Sequence, residues 1–289
     1  MSMRSDMMSR AKTGVRLHRQ DLSHTERFIR GCLNDDGGFV NRSGRSDLYY
    51  TVFGLSASVA MGAEVPWRRV AAYLSGFNPA ELDLVHAASL ARCWAHLPAE
   101  LATPDATRQA LGQRLLGFGA ADGGNVYGCF LLLGALEDLG ADVPEADRLI
   151  RCVESCRAAD GGYANQPGQP VGSAPATAAA VRLLYALGRP VEPAAGEWLL
   201  GRCFSGDGFV VHPSAPVPDL LSTAVALHAM EAAGAALGED RRRACEAFVL
   251  GLRHERGGFR GHWADEAADC EYTFYGLLAL GHLSCGDAV

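Results

Sequence analysis

A phrase of two glycines followed by an aromatic residue recurs along this 289-residue chain. Each copy precedes a loop and then a nearly all-apolar segment of helical length. If the glycine before the aromatic position is the marker, the copies fall 38 to 50 residues apart, with weaker forms at the second and third: Gly38, Gly76, Gly124, Gly162, Gly208 and Gly258. A period of this size is typical of arrays of similar supersecondary units. We therefore expect six related units rather than a set of unrelated domains.

Two kinds of helical segment alternate between the glycine phrases. One kind has a single apolar stripe, which is typical of a helix at a surface; its members are residues 24–32, 67–74, 105–116, 145–158 and 239–253. The other kind is apolar around nearly its whole circumference and rich in small residues, so it has to be buried. Its members are residues 50–61, 85–97, 126–136, 176–187, 221–230 and 272–283.

This alternation predicts an all-α fold: a single α6/α6 toroid, or α/α barrel, of six helical hairpins over residues 21–289 with a central apolar cavity. Closing the ring leaves no repeat with an exposed apolar end, unlike an open α-solenoid, which is the alternative. In a closed ring the last repeat lies beside the first, so the two share one rim. Residues 1–20 are polar and basic without an apolar core, and we expect them to form a disordered tail.

Charge and cysteine usage narrow the classes of function. The formal net charge of −7 does not predict nucleic-acid binding, which usually requires a basic face. There is no apolar run long enough for a transmembrane segment. The nine cysteines are scattered, odd in number and without a CxxC pair, which favours buried free thiols in a reducing compartment. We therefore expect a cytoplasmic protein.

Aspartates stand at the starts of four buried segments, at Asp47, Asp83, Asp219 and Asp269. A helix N-cap is the simplest role for each, because the carboxylate accepts hydrogen bonds from unpaired N–H groups. Asp47 and Asp269 are also candidates for a further role, since ring closure makes their repeats neighbours. Glu271 is either a first-turn acid that favours the helix dipole or a second carboxylate at the mouth of the ring. In the second role it can bind a metal with Asp269 or donate a proton.

Two stretches resemble repeats of protein prenyltransferase β subunits. The stretch GGFVNRSGRSDLYYTVFGLS (37–56) resembles the last repeat of that family, and GGF…DCEYTFY (257–275) resembles the repeat before it. The resemblance extends over about residues 22–285, within a superfamily of α/α toroids that also contains class II terpene cyclases. It implies a toroid that handles a prenyl diphosphate or another isoprenoid, together with a possible α subunit made of helical repeats.

The same resemblance implies a catalytic centre, although two of its residues differ. The family binds zinc through Asp, Cys and His; here Asp269 matches the Asp, Glu271 replaces the Cys and Tyr50 replaces the His. Zinc accepts carboxylates but prefers nitrogen and sulfur. The implied centre is therefore Asp269, Glu271 and Tyr50, with zinc or magnesium at the two carboxylates. The implied substrate-binding residues on the surrounding loops and first turns are Arg42, Arg45, Asp47, Tyr49, His262, Trp263 and Tyr272.

The segment from Asp269 to Thr273, DCEYT, also resembles the DxDDT motif with which class II terpene cyclases protonate an alkene. Glu271 would then be the proton donor and Asp269 its partner. Burial among Tyr272, Phe274 and Trp263 would raise the pKa of Glu271 and keep it protonated. Aromatic faces would stabilise the resulting carbocation.

Three functional hypotheses follow. The first is transfer of a prenyl group from a prenyl diphosphate, with a metal near Asp269 and Glu271 that activates a thiol or a similar nucleophile. The second is a compact class II-like terpene cyclase with Glu271 as the acid. The third is a non-catalytic toroid that binds an isoprenoid or a partner protein.

Overall fold

Helices make up nearly all of the regular structure in the computed structural model, which describes residues 2–121, 124–143 and 146–284. Over these residues they are α1 (Met3–Leu17), α2 (Thr25–Gly31), α3 (Leu48–Met61), α4 (Trp67–Ser75), α5 (Leu84–Trp94), α6 (Asp105–Ala121), α7 (Val126–Leu139), α8 (Ala146–Ser155), α9 (Ala174–Ala186), α10 (Pro193–Trp198), α11 (Leu220–Ala232), α12 (Glu239–Gly251) and α13 (Cys270–Leu283). Strands β1 (Phe259–Arg260) and β2 (Ala268–Asp269) pair antiparallel just before α13.

Six helices of the described chain form a closed inner ring. α3, α5, α7, α9 and α11 each contact the next member, and α13 contacts both α11 and α3. The helices α2, α4, α6, α8, α10 and α12 precede them in the six hairpins and form the outer layer. The predicted all-α toroid is confirmed, and contact between the first and last inner helices rules out an open solenoid. Residues 122–123, at the third glycine phrase, residue 145, at the start of one predicted helix, and residues 285–289 lie outside the described residues.

Each strong copy of the glycine phrase is fixed to the start of the following inner helix by one threonine. The Phe39 N–H donates to Thr51 Oγ1 at 2.9 Å. The equivalent bonds are Tyr163 to Thr177 at 2.9 Å, Phe209 to Thr223 at 3.0 Å and Phe259 to Thr273 at 3.2 Å. All four threonines are buried. These threonines were not predicted from the sequence. Their spacing of 12 residues after the aromatic residue in the first copy, and 14 in the other three, could have identified them.

The ring closes by repeating the contact that joins neighbouring repeats. In the first phrase, Gly38 packs against α4 so closely that a Cβ would lie 2.7 Å from the ring of Tyr73. In the last phrase, Gly258 packs in the same way against Phe28 of α2, where a Cβ would lie 2.4 Å from the ring. Thr25 Oγ1, also on α2, donates to the Gly257 carbonyl at 2.7 Å. The last repeat therefore docks on the first as the first docks on the second.

The first glycine of the phrase has a positive φ, 99° at Gly37 and 102° at Gly257, which glycine adopts without steric cost. Gly37 does not lie at the C′ position that directly follows a helix. α2 ends at Gly31, and Gly37 lies in the turn that connects the bridged residues Leu33 and Phe39. The glycine therefore shapes a tight hairpin after the outer helix instead of ending that helix.

The disordered tail predicted for residues 1–20 is corrected by the structure. Residues Met3–Leu17 form α1, which packs along α13 and contacts α3 and α7. Gly14 and Gly281 allow the two backbones to touch, since a Cβ on Gly281 would lie 1.9 Å from the Arg10 carbonyl oxygen. Met3, Met8 and Ala11 are buried. The segment is polar overall but carries enough small and apolar residues on one side to pack.

The charges of α1 are paired with residues near the C-terminal ends of inner helices. Arg4 pairs with Asp138 of α7, Asp6 with Arg182 of α9 and Arg10 with Glu231 of α11: these partners are more than 130 residues away in the chain. α1 therefore covers the end of the ring opposite the glycine phrases. In the part of the chain that is described, none of the helices has both the length and the apolarity that a membrane crossing requires.

Candidate functional site

The first and last repeats meet at the end of the ring where the inner helices begin. Asp269 caps α13 by accepting the Tyr272 N–H at 2.9 Å, and Asp47 caps α3 by accepting the Tyr50 N–H at 3.1 Å. Asp83 and Asp219 cap α5 and α11 in the same way. All four aspartates therefore have the N-cap role that the sequence predicted. Tyr49 and Tyr50 of α3 and Glu271 and Tyr272 of α13 stand in the first turns beside these caps.

Arg42 joins the two repeats across this rim. Its Nε donates to Asp269 Oδ2 at 2.7 Å, and its two terminal nitrogens donate to the carboxylate of Asp265 at 2.7 and 3.2 Å. The guanidinium also lies 5.5 Å from the centre of the Tyr272 ring. Hydrogen bonds to Asp265 and then Asp269 raise the pKa of Arg42, so it remains charged. The charge of Arg42, which was predicted to bind the substrate, is thus neutralised by two carboxylates.

Replacing Arg42 with alanine is expected to lower the free energy of unfolding by about 2 kcal/mol. Asp269 is only 5% exposed and would lose its cationic partner; losing one partner of a fully buried pair costs about 3–5 kcal/mol. The expected loss is smaller because the Arg42 side chain is 40% exposed to screening solvent. Urea denaturation measures it. Arg45→Ala is the matched control, because Arg45 is exposed in the same loop and its side chain donates only to Ser43 among the hydrogen bonds described. Equal effects of both changes would contradict the bridging role.

Glu271 is the second carboxylate of the rim, and it accepts a hydrogen bond from the Tyr49 hydroxyl at 2.7 Å. Burial raises the pKa of Glu271, and the nearby charge of Asp269 adds to this, against the opposing influence of Tyr49 and Arg42. Burial also raises the pKa of Tyr49, so the phenol is the donor in this bond. The rim therefore holds one carboxylate paired with Arg42 and one carboxyl with a raised pKa.

The surroundings of Glu271 differ in part from the prediction. Trp263 is 66% exposed and does not bury the carboxyl. Phe274 is buried, and Tyr49 of the facing repeat supplies the direct contact that the sequence did not predict. Tyr50 is half-buried, and burial followed by the charge of Asp269 raises its pKa, so it is a neutral phenol near pH 7. His262 accepts the Ala264 N–H at 3.2 Å within its own loop.

An apolar cavity of about 110 Å³ lies inside the ring, as the sequence predicted. It extends from Tyr127 in the first turn of α7 to Asp138 in the last turn, and Met7 of α1 lines it too. Its aromatic lining comprises Tyr49, Phe53, Tyr127, Phe130, Phe274 and Tyr275. Because Tyr49 lines the cavity and donates to Glu271, the half-buried carboxyl is linked directly to the cavity wall. The sequence analysis did not assign Phe53, Tyr127 or Phe130 to the site.

The donors at this rim fit a zinc ion poorly. Both oxygens of Asp269 already accept hydrogen bonds, one from the Tyr272 N–H and one from Arg42. Glu271 accepts from Tyr49, and no sulfur or nitrogen ligand replaces the family's Cys and His, which zinc prefers. Within the described residues, the one cluster of His, Cys, Asp or Glu donors close enough to hold a metal lies elsewhere. The zinc or magnesium ion at Asp269 and Glu271 stays a prediction, and this donor set does not favour zinc.

The raised pKa of Glu271 predicts a pH-dependent stability. The folded chain holds this proton more tightly than the unfolded chain, so unfolding releases it. The stabilisation is complete below the unfolded pKa, about 4.3, and is lost as the pH rises through the raised folded pKa. The free energy of unfolding of the native protein, relative to Glu271→Gln, is expected to fall as the pH rises from about 4 through the raised folded pKa. A difference that does not change with pH would contradict the raised pKa.

Comparison with known proteins agrees with this architecture. The chain matches the family model of the prenyltransferase alpha-alpha toroid domain over residues 11–87, 107–197 and 194–288. Because this match covers most of the sequence, the chain belongs to that family. Among solved structures, it is similar to Candida albicans protein geranylgeranyltransferase-I complexed with GGPP, with 13% identity, a TM-score of 0.46, and coverage of 96% of this chain and 82% of that one. No curated protein matches the sequence.

Proposed function

We propose that this protein binds an isoprenoid in its central cavity and protonates it with Glu271, as a compact class II-like terpene cyclase. The observation that carries the proposal is a half-buried carboxyl with a raised pKa, hydrogen-bonded at 2.7 Å to a tyrosine of the aromatic cavity wall. Membership of the prenyltransferase toroid family supports an isoprenoid as the ligand. The small cavity volume favours a short isoprenoid segment at the reacting end.

The residues of the rim divide the chemistry between them. Tyr49 holds Glu271 Oε1, so Oε2 is the oxygen that carries the acidic proton. The O–H bond of Glu271 breaks as the π electron pair of a terminal alkene forms a C–H bond with the proton. The other carbon of that alkene becomes a carbocation. A second alkene of the same chain attacks the cation and closes a ring, and a carbon-bound proton is then lost. The faces of Phe53 and Phe274 in the cavity stabilise the cation.

Asp269 and Arg42 lie near this acid and influence its pKa. Asp269 caps α13 and pairs with Arg42, and its charge contributes to the raised pKa of Glu271. Arg42 neutralises part of that charge from the facing repeat. A general acid is most effective when its pKa lies near the working pH. Burial first, and then the charge of Asp269, raises the pKa of Glu271 in the direction that proton donation near neutral pH requires, while Arg42 opposes this rise.

Prenyl transfer is the second candidate function, favoured by family membership. It would take a prenyl diphosphate as substrate, with zinc or magnesium at Asp269 and Glu271, and would work with a helical-repeat α subunit. It has less support from the site, because Arg42 is already paired with two carboxylates and Asp269 and Glu271 already accept hydrogen bonds. The two functions differ in a measurable way, since transfer releases diphosphate from the substrate and protonation does not.

The test is to incubate the full chain with farnesyl diphosphate, geranylgeranyl diphosphate and squalene in turn, and to analyse the products by mass spectrometry. The cyclase function predicts at least one cyclic product that is an isomer of its substrate. Release of inorganic diphosphate with transfer to a thiol acceptor would support the transferase instead. Saturable binding of these compounds, with full recovery of the linear substrates, would indicate a non-catalytic isoprenoid-binding toroid.

A further inference from the structure

A separate cluster of metal-ligating side chains lies at the opposite end of the ring. His282 follows Asp269 by 13 residues on α13, which separates them by about 20 Å at 1.5 Å per residue. His228 and Glu231 of α11 face His282. The Nδ1 atom of His228 lies 3.0 Å from Nε2 of His282, and Oε2 of Glu231 lies 3.3 Å from Nδ1 of His282. None of these residues takes part in the chemistry proposed above.

We propose that His228, Glu231 and His282 bind a divalent transition-metal ion of the zinc type. Each residue offers one ligand atom, and these atoms all lie within 4.8 Å of one another. Two histidine nitrogens and a carboxylate oxygen are ligands that zinc takes at about 2.0–2.2 Å, which places tetrahedral ligand atoms about 3.4 Å apart. Side-chain rotations are therefore sufficient to complete the set, because the helices already hold the three residues together.

The site combines buried ligands with a route for the ion. His228 is 5% exposed, whereas the Glu231 side chain is 36% exposed. Glu231 and His282 also line a surface cavity of about 460 Å³ beside α1, which gives access and room for a water molecule as a fourth ligand. Burial lowers the pKa of His282 to about 3 and the pKa of His228 well below its usual value.

The two nearby arginines are each balanced by a carboxylate. Arg10 of α1 binds Glu231 through Oε1, on the other oxygen from the one that faces His282. Arg182 pairs with Asp6 of α1. A carboxylate ligand that is itself held by a hydrogen-bond donor is a common outer-shell arrangement at metal sites. Arg10 would thus orient Glu231 through Oε1 while the metal binds Oε2. The ion would link α11 and α13 at the end of the ring that α1 covers.

The test uses the full-length protein, stripped with a chelator and then titrated with Zn²⁺ by calorimetry, with bound metal counted by elemental analysis. We expect one equivalent of Zn²⁺ per chain, a higher melting temperature with Zn²⁺, and visible absorption bands of a tetrahedral site with Co²⁺. His282→Gln is expected to lower the Zn²⁺ affinity at least about 100-fold, the upper range for loss of even an outer-shell partner. His212→Gln, in an exposed loop, is the matched control and should bind as the native protein does.

Two further variants keep the outcome decisive. Glu231→Gln serves if circular dichroism shows that His282→Gln does not fold, and it should also weaken Zn²⁺ binding. Glu271→Gln should leave Zn²⁺ binding unchanged, because it lies at the other end of α13. A stripped protein that takes up no stoichiometric Zn²⁺ would overturn the proposal and leave the three residues as a hydrogen-bonded chain. Zn²⁺ binding that is lost in Glu271→Gln but kept in His282→Gln would overturn it in favour of a metal at the ring mouth.

Discussion

Replacing Glu271 with glutamine is expected to reduce the rate of cyclic-product formation by about 10²- to 10⁴-fold, the usual contribution of a positioned general acid. Glutamine keeps the size of the side chain and an oxygen that accepts the Tyr49 hydroxyl, but it carries no acidic proton. Substrate binding should change little, because Tyr49 and the other aromatic residues of the cavity wall remain. Steady-state kinetics should therefore show a lower kcat with a similar KM.

Glu266→Gln is the matched control for this change. Glu266 is an exposed acid in the loop that leads to Asp269, and it carries no role in the proposed chemistry. Its removal should leave kcat within about twofold of the native value, since surface changes away from structural features have small effects. Full activity of Glu271→Gln, or an equal loss in Glu266→Gln, would exclude Glu271 as the proton donor.

Gly281→Ala is expected to destabilise the protein by about 3 kcal/mol, the upper range for overpacking. A Cβ at this position would lie 1.9 Å from the carbonyl oxygen and 2.5 Å from the carbonyl carbon of Arg10, both backbone atoms of α1. α1 therefore has to move away from α13 to admit it. Helix propensity alone would have the opposite sign, since alanine is favoured over glycine inside a helix by about 1 kcal/mol.

Gly112→Ala gives the matched control for this prediction. Gly112 lies in the outer helix α6, and a Cβ there would meet no other atom within 4 Å. That variant should be more stable than the native protein, by up to about 1 kcal/mol. Urea denaturation measures both variants, and hydrogen exchange of the α1 amides reports whether α1 detaches. Stabilisation by Gly281→Ala as well would contradict the close packing of α1 on α13.

The toroid and its helix caps could be predicted from the sequence because their signals are local. The phrase glycines, the capping aspartates and the apolar inner helices all lie within one repeat, and the same pattern returns in the next. α1 could not be predicted in this way. Its polar residues are matched by Asp138, Arg182 and Glu231, which lie 134, 176 and 221 residues away. A segment whose partners are this distant has the same local appearance as a solvated tail.

In the candidate site, too, the sequence predicted which repeats meet but not the contacts between residues that are distant in the chain. Ring closure was enough to predict that Tyr49, Tyr50, Asp269 and Glu271 share a rim. The bond between Tyr49 and Glu271 spans 222 residues, and the pairing of Arg42 with Asp265 spans 223. Both depend on how the loops before α3 and α13 face each other. The family resemblance implied substrate roles for Arg42 and Trp263, whereas in the structure Arg42 is paired with two carboxylates and Trp263 faces solvent.

Proton donation by Glu271 leaves a mark on the product when the reaction runs in D₂O. The acidic proton of Glu271 exchanges with solvent, so protonation of the alkene places one deuterium on carbon, where it no longer exchanges. With farnesyl diphosphate or geranylgeranyl diphosphate as the substrate, the diphosphate stays attached throughout. Mass spectrometry is expected to show a cyclic product that contains a single deuterium and retains its diphosphate. A product without deuterium, or inorganic diphosphate released in step with product formation, would contradict the proposal that Glu271 starts the reaction as an acid.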